Sequence, residues 1–383
     1  MNNRVYSLDV LRGIAVLLVL IVHVAQKTLN YESLGFEVAK LGSLGVQLFF
    51  MISAFTVFMT YEKTMLKDRK PITSFFIRRF FRIMPIYWIG IILYSTYYGV
   101  YGDRNWGDAP EGWHYILHFL TLNMLHPSVQ STVVPGGWSI SVEIMFYLSF
   151  PIAFYFVRTL KSSFYFLVAT VVLSVFFRML FTEYFFEEYL YGMMGDSTDE
   201  IKSRFVYRFI INQYPLFAAG FFMYHMIKSG QYNKYIDEKL ILLSTFSFLI
   251  ISLYVFLVYS GSFLKLPLEA FVHIVIGFPM LILSIVYLVR KAKSSPCLLE
   301  IAFASIGRVS FSFYIVHFII VDEVSRAVIG VNESFGMSFG FLFISTIFLS
   351  LVITYSISNV SHFFIEKKIQ NFTKTVLARF KFS

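Results

Sequence analysis

The chain has 383 residues, 57% hydrophobic and 20% aromatic, with only 14% charged and a mean hydropathy of +0.68. That composition excludes a soluble globule of ordinary make-up and reads as an all-α polytopic membrane protein. The net charge of +9 is therefore read by its position along the chain, and no nucleic-acid partner is expected. A single cysteine, Cys297, excludes an intramolecular disulfide and a cysteine-based metal cluster, and no metal site is expected.

Apolar runs able to cross about 30 Å of hydrocarbon fall at roughly 10–28, 44–61, 83–100, 138–157, 164–181, 207–227, 240–260, 267–289, 301–321 and 338–360. These predict about ten transmembrane helices. The apolar stretch 113–125 is too short to cross and reads as a re-entrant or interfacial segment. Basic residues collect in alternate connections: Arg4, the run from Lys63 to Arg82, Arg158 with Lys161, Lys228 to Lys239, Arg290 to Lys293, and Lys367 to Lys381. The opposite side holds only Lys27, Lys40, Arg104, Lys202, Arg204, Lys265 and Arg326, so both termini are expected in the cytoplasm. The loop 101–137, with Tyr101, Trp106, Trp113, Gly136 and Gly137, suits sugar faces or a membrane interface. The acidic run 182–206 reads as a solvated outer surface. Residues 1–361 are expected to form a transmembrane domain. Residues 362–383 form a basic amphipathic tail whose apolar Ile369, Phe372, Val376, Leu377 and Phe380 suit the anionic inner leaflet.

The first span carries the most informative stretch, Leu8 to His23. At about 100° and 1.5 Å per residue, Asp9, Arg12 and His23 fall on one face, a column about 20 Å tall, with aliphatic residues on the other faces. Intramembrane ionisable groups face protein or water rather than lipid. A signal peptide or simple anchor is the competing reading, but no small-x-small cleavage site follows, and His23 lies too far from the inner surface to snorkel there.

Three further constellations lie at or inside spans. Phe76 to Tyr87 places Arg79 and Arg82 three residues apart on one helix face, where two planar forks suit phosphate; positive-inside charge alone is the bland reading. Gly136 to Tyr147 opens the fourth span and buries Glu143 one to two turns in, where it needs a proton or a partner such as Arg178, Arg208 or Arg308. Gly307 to Phe318 holds Arg308 and His317, about 180° apart on a continuous helix. An intramembrane histidine of this kind is either a hydrogen-bonded core residue or part of a site.

Taken together, five motifs in this order resemble the acyltransferase-3 family of integral-membrane acyltransferases, over essentially the whole chain. They are Leu-Asp-x-Leu-Arg-Gly with a histidine eleven residues after the arginine; Gly45 to Ser53; Arg79 and Arg82 with Pro85 and Tyr87; Trp138-Ser139 with Glu143, Phe146 and Tyr147; and Ser310 with Tyr314 and His317. The chain departs from the pattern at Ser53-Ala54-Phe55, usually Ser-Gly-Phe. It also lacks the proline expected two residues after Glu366, and no role is carried onto that residue.

The resemblance implies transfer of an acyl group, commonly acetyl, from cytoplasmic acyl-CoA to a hydroxyl of a cell-surface carbohydrate, free or lipid-linked, in the bacterial inner membrane. It makes Arg12 and His23 the essential pair and gives the donor phosphates to Arg79 and Arg82. The pantetheine arm is expected to pass Arg12 and bring the thioester near His23, acting as general base or as an acyl-histidine. Asp9 or Arg12 fixes orientation, and Glu143 binds the acceptor or steers a proton. Trp138, Ser139, Ser310 and His317 are expected to contact substrate. Some relatives append a soluble esterase-like domain; with none here, transfer is expected to finish within the membrane domain or with a separate partner. The rival class is a transporter using Arg12, His23, Glu143, Arg308 and His317 as a path; the absence of a visible inverted repeat weighs against it.

Overall fold

The computed structural model describes residues 3–104, 109–180, 204–230, 295–336 and 338–381, with Leu242, 282–284 and Tyr287. No strand occurs among the described residues. The expected spans 240–260 and 267–289 and the acidic run 182–206 lie almost wholly outside them. The chain divides into two compact units, one chiefly from Met1–Ile52 and Val275–Asn371, the other chiefly from Ser53–Ser229 with Phe372–Ser383.

The first unit is built around α1 (Asn3–Thr28), whose Leu8, Val10, Ala15, Val16, Val19, Leu20 and Val24 are all buried. After α1 the chain turns through α2 (Leu34–Lys40) and one 3₁₀ turn into α3 (Leu44–Lys67). The returning helix lies against α1 because Gly42 and Gly45 carry no side chain: a Cβ on either would overlap the carbonyl of Leu18 or Ala15. On another side of α1 lies α9 (Leu298–Arg308), again at backbone distance. A Cβ at Gly13 would overlap the Phe303 carbonyl, and one at Gly307 the Asp9 carbonyl. Small residues permit this kind of approach in apolar surroundings, where packing rather than hydrophobic burial drives association.

The expected ninth span, 301–321, is not one helix. The chain bends by 83° at Val309, between α9 and α10 (Ser310–Phe335). Arg308 ends one helix and His317 sits in the next, so the 180° relation expected of a continuous helix does not hold. Buried Ile306, Phe313 and Val321 on either side of the bend join Val16, Leu20 and Val24 of α1 in one aliphatic core. α11 (Phe339–Ser361) packs along α10 with Thr346, Ser350, Thr354 and Ser358 fully buried, a row of small hydroxyl residues at four-residue spacing.

In the second unit the core is aromatic. α4 (Pro71–Tyr98), α6 (Gly137–Phe156), α7 (Leu160–Leu180) and α8 (Ile210–Ser229) follow α3. Phe58, Phe146, Phe150, Phe154, Phe217 and Phe221 form a continuous cluster, with Phe146 stacked on Phe217 at 4.0 Å. Between α4 and α6 lies the short helix α5 (Gly112–Phe119), eight residues within the stretch expected to be re-entrant or interfacial.

By length and apolarity five helical segments can cross a membrane among the described residues: Tyr6–Thr28, Leu34–Lys67, Gly137–Phe156, Leu160–Leu180 and Phe339–Ala378. A sixth is gained if α9 and α10 count as one bent span. α4 and α8 are helices of 28 and 20 residues at the expected third and sixth spans, but fall short on apolarity. The chain is thus a multi-pass, all-helical membrane protein. Its tail is helical too: α12 (Lys367–Lys381) continues α11 through a π-helical turn at His362–Glu366. Thr373 and Leu377 are buried, and Phe372 packs its ring on Phe81 of α4 at 5.4 Å. Part of the apolar edge expected to face the leaflet is therefore covered by protein.

Candidate active site

The face of α1 predicted to be polar is assembled in two steps. Asp9 and Arg12, one turn apart, form an ion pair at 2.8 Å with only 13% of each side chain exposed. About 16 Å further along the axis, His23 meets α10. Its ring lies 5.4 Å from that of His317 and 4.3 Å from Phe318, between centroids. The two histidines that the sequence placed in the first and ninth spans are thus brought together.

Each imidazole has an acceptor at Nδ1. His317 Nδ1 is 2.7 Å from the carbonyl oxygen of Tyr314, which can only accept, so the proton is on Nδ1 and Nε2 carries the lone pair. His317 is completely buried, and its Nε2 has no hydrogen-bond partner among the described residues. An unsatisfied buried acceptor costs about 1–3 kcal/mol, and in a native fold it calls for an explanation such as a ligand. His23 Nδ1 is 2.9 Å from Gln26 Oε1, one turn further along α1. Ser310, Tyr314 and His317, at spacings of four and three, follow one face of α10, and Ser310 is buried at its first turn.

Glu143 sits in the second unit, in a different kind of cluster. Its Oε1 accepts hydrogen bonds from Ser53, at 2.5 Å, and from the buried Tyr147 hydroxyl. None of Arg178, Arg208 and Arg308, the partners considered from sequence, forms an ion pair with it among the described residues. The Arg79 guanidinium lies over the Tyr147 ring at 5.3 Å and the Phe75 ring at 5.7 Å, and donates to Thr60 at 3.1 Å. Arg79 is buried and Arg82 is exposed, so the two arginines share a helix side without presenting two equal forks to solvent. Trp138 is buried under the Arg208 guanidinium at 5.4 Å, and the Ser139 hydroxyl donates to the Gly136 carbonyl at 2.9 Å. In this structure both serve the start of α6.

That start is held by a motif whose residues have separate tasks. Gly136, the residue preceding α6, has φ +71°, a conformation that favours glycine. Gly137 gives room: a Cβ there would lie 2.8 Å from the Tyr87 hydroxyl and 3.1 Å from His118. Tyr87 donates to His118 Nδ1 at 2.7 Å, and His118 Nε2–H donates to the Val129 carbonyl at 2.9 Å. Both ring nitrogens are used by the neutral form. Complete burial, opposed only in part by the Val129 bond, pushes the His118 pKa down to about 3.

Sequence reasoning missed Gln26 and the group at the end of α11. There Glu366 accepts from the Ser312 hydroxyl and from His362 Nδ1, the latter at 2.9 Å, while Ser312 and Ser361 lie 3.0 Å apart. Tyr147, four residues after Glu143, and Gln26, three after His23, were visible as helical neighbours. Ser53 and Ser312, distant in sequence from the carboxylates they contact, gave no such signal.

The acyltransferase-3 family model, described as an acyltransferase domain, matches residues 5–355. The acyltransferase MdmB of Streptomyces mycarofaciens is 29% identical over 166 residues, 40% of this chain and 40% of its own. The peptidoglycan O-acetyltransferase OatA of Listeria monocytogenes is 28% identical over 162 residues, 39% of this chain and 24% of its own. The chain thus matches less than half the length of either relative. No solved structure matches it significantly.

Proposed function

The chain belongs to the acyltransferase-3 family of membrane acyltransferases, and from that premise we propose that it moves an acetyl group from acyl-CoA to a hydroxyl of a cell-surface carbohydrate or its lipid-linked precursor. The observation that carries this reading is the His23–His317 pair, with a buried acceptor nitrogen on His317 that lacks a donor. A second donor group of the bound acceptor, beside the hydroxyl that His23 deprotonates, supplies the missing hydrogen bond. The named activity of the Listeria relative on peptidoglycan supports a carbohydrate acceptor.

In this mechanism His23 removes the proton from the acceptor hydroxyl, whose oxygen attacks the thioester carbonyl. The new C–O bond forms, the C–S bond breaks, and the CoA thiolate takes the proton back from the imidazolium. Arg12, oriented by Asp9, lies on the same helix face and steers the donor. Arg82 binds donor phosphate with its exposed fork, while Arg79 backs the same turn of α4 from within. Glu143, engaged by Ser53 and Tyr147, together with Trp138 and Ser139 holds the helices of the second unit, and Ser310, on the His317 face of α10, lines the substrate path. The alternation of basic connections supports cytoplasmic termini in a bacterial inner membrane. A cysteine beside Lys70 is then labelled by an impermeant thiol reagent only in opened cells; labelling in intact spheroplasts would reverse the orientation.

The direct test supplies radiolabelled acetyl-CoA to membranes containing the full chain and follows alkali-labile label in polysaccharide. His23→Ala and His23→Gln should each lose transfer by about 10²- to 10⁴-fold while keeping CoA binding. Near wild-type transfer in either variant would refute both the base and the acyl-histidine routes.

A further inference from the structure

His23 is held from two directions. Phe318 and His317 of α10 flank its ring and fix the plane. What remains to be set is which nitrogen carries the proton, and a hydrogen bond to an acceptor at Nδ1 bears directly on that. We infer that Gln26 is the positioning residue of this imidazole: its Oε1, 2.9 Å from Nδ1, accepts the Nδ1 proton and leaves the lone pair on Nε2. The inference rests on the reading of His23 as the base.

Three features make this more than a contact between helical neighbours. First, the end of α1 that carries Gln26 is pinned on both sides. The Tyr31 hydroxyl donates to the Gln26 carbonyl at 3.0 Å, and the next residue, Lys27, pairs with Asp322 of α10 at 2.7 Å. Second, His317 is set in the same tautomer by a different acceptor, a backbone carbonyl three residues earlier. The two rings therefore share one protonation pattern although nothing in their local sequences repeats. Third, an amide oxygen orients the ring without setting a carboxylate charge against the imidazole, which would raise its affinity for a proton. A catalytic base needs its lone pair fixed in place before the acceptor arrives, and an acceptor on Nδ1 fixes it.

The test uses the purified full-length chain in detergent and the same chain in membranes, with radiolabelled acetyl-CoA as probe. Gln26→Leu removes the acceptor, and Gln26→Glu retains one. The tautomer is read by NMR of the [15N]histidine-labelled protein, with the His23 signals assigned by their loss in His23→Ala. Gln26→Leu should lower kcat about 3- to 10-fold, the scale of one hydrogen bond, leave the KM for acetyl-CoA unchanged, and convert His23 from the Nδ1–H form to a mixture. Gln26→Glu should restore the Nδ1–H signal and most of the rate. Full rate in Gln26→Leu, or a His23 tautomer indifferent to position 26, overturns the inference. Should His23→Ala itself transfer at the wild-type rate, the base reading falls, and the tautomer signal still decides whether Gln26 sets the ring.

Discussion

Two of the polar clusters in this protein are built to opposite ends. In the aliphatic unit around α1, two imidazoles lie side by side and His317 retains a buried acceptor with no donor among the described residues. In the aromatic unit, Glu143 is answered by Ser53 and Tyr147, and the nearby Arg79 is stacked on Tyr147 and Phe75. The difference teaches that an ionisable residue inside a membrane protein is not by itself a reaction centre. What distinguishes the two, among the described residues, is the kind of atom left open: in the first an imidazole lone pair on His317 lacks a donor, and in the second the carboxylate is satisfied and the open atom is an N–H, Arg79 Nε, in a cluster that joins helices α3, α4 and α6.

The comparison breaks or sharpens first at Arg79. If the aromatic-unit cluster is structural, Arg79→Ala should cost about 3 kcal/mol or more, the scale of removing one member of a buried charged group. Thermal unfolding in detergent measures this; a transition unmoved from wild type would mean that the cluster bears no structural load. Next comes Arg82, on the same turn but exposed. Arg82→Ala should leave unfolding unchanged and weaken CoA binding about 10- to 100-fold, as loss of a charge-assisted bond implies, while Arg82→Lys recovers only part because the fork is lost. Calorimetric titration with CoA would show it, and identical affinity in both variants would remove Arg82 from the donor site.

Smallest per pH unit is the effect at His118, a polar group satisfied within the segment between α4 and α6. Its folded pKa, about 3, lies below the ordinary value of 6.5, so below pH 6.5 the unfolded chain takes up a proton that the folded one refuses. Stability should be fully present above pH 6.5 and fall by up to about 1.4 kcal/mol per pH unit between 6.5 and 3. His118→Gln should flatten that dependence. Proteolysis of the segment between α5 and α6 across this range would follow it, and an unchanged slope in the variant would reassign the effect to other groups.

Much of this was legible in the sequence because helices write their periodicity openly. The polar face of α1, the glycine pair ahead of Trp138 and, among the described residues, most of the helical hydrophobic runs appear at the expected positions. What stayed hidden is informative. Residues at i and i+3 share a side of a helix, yet nothing local says which way that side faces, and so the burial of Arg79 beside the exposure of Arg82 was invisible. The bend at Val309 was hidden as well: no proline marks it, and the polar Gly307-Arg308-Val309-Ser310 stretch that does interrupt the apolar run lies inside what reads from sequence as one continuous span. The meeting of His23 with His317 follows from how α10 lies along α1, which depends on contacts hundreds of residues apart.

The glycines around α1 have a last consequence for motion. Gly42 and Gly45 admit the backbone of α1 on one side, and Gly13 and Gly307 bring it against α9 on another. A helix touched on two sides by main chain, with no compressible side chains between, can neither roll nor slide without driving carbonyl oxygens into Cα atoms. The imidazole of His23, carried on that helix, therefore keeps its bearing, and if it is the base proposed above, the substrates must travel to it.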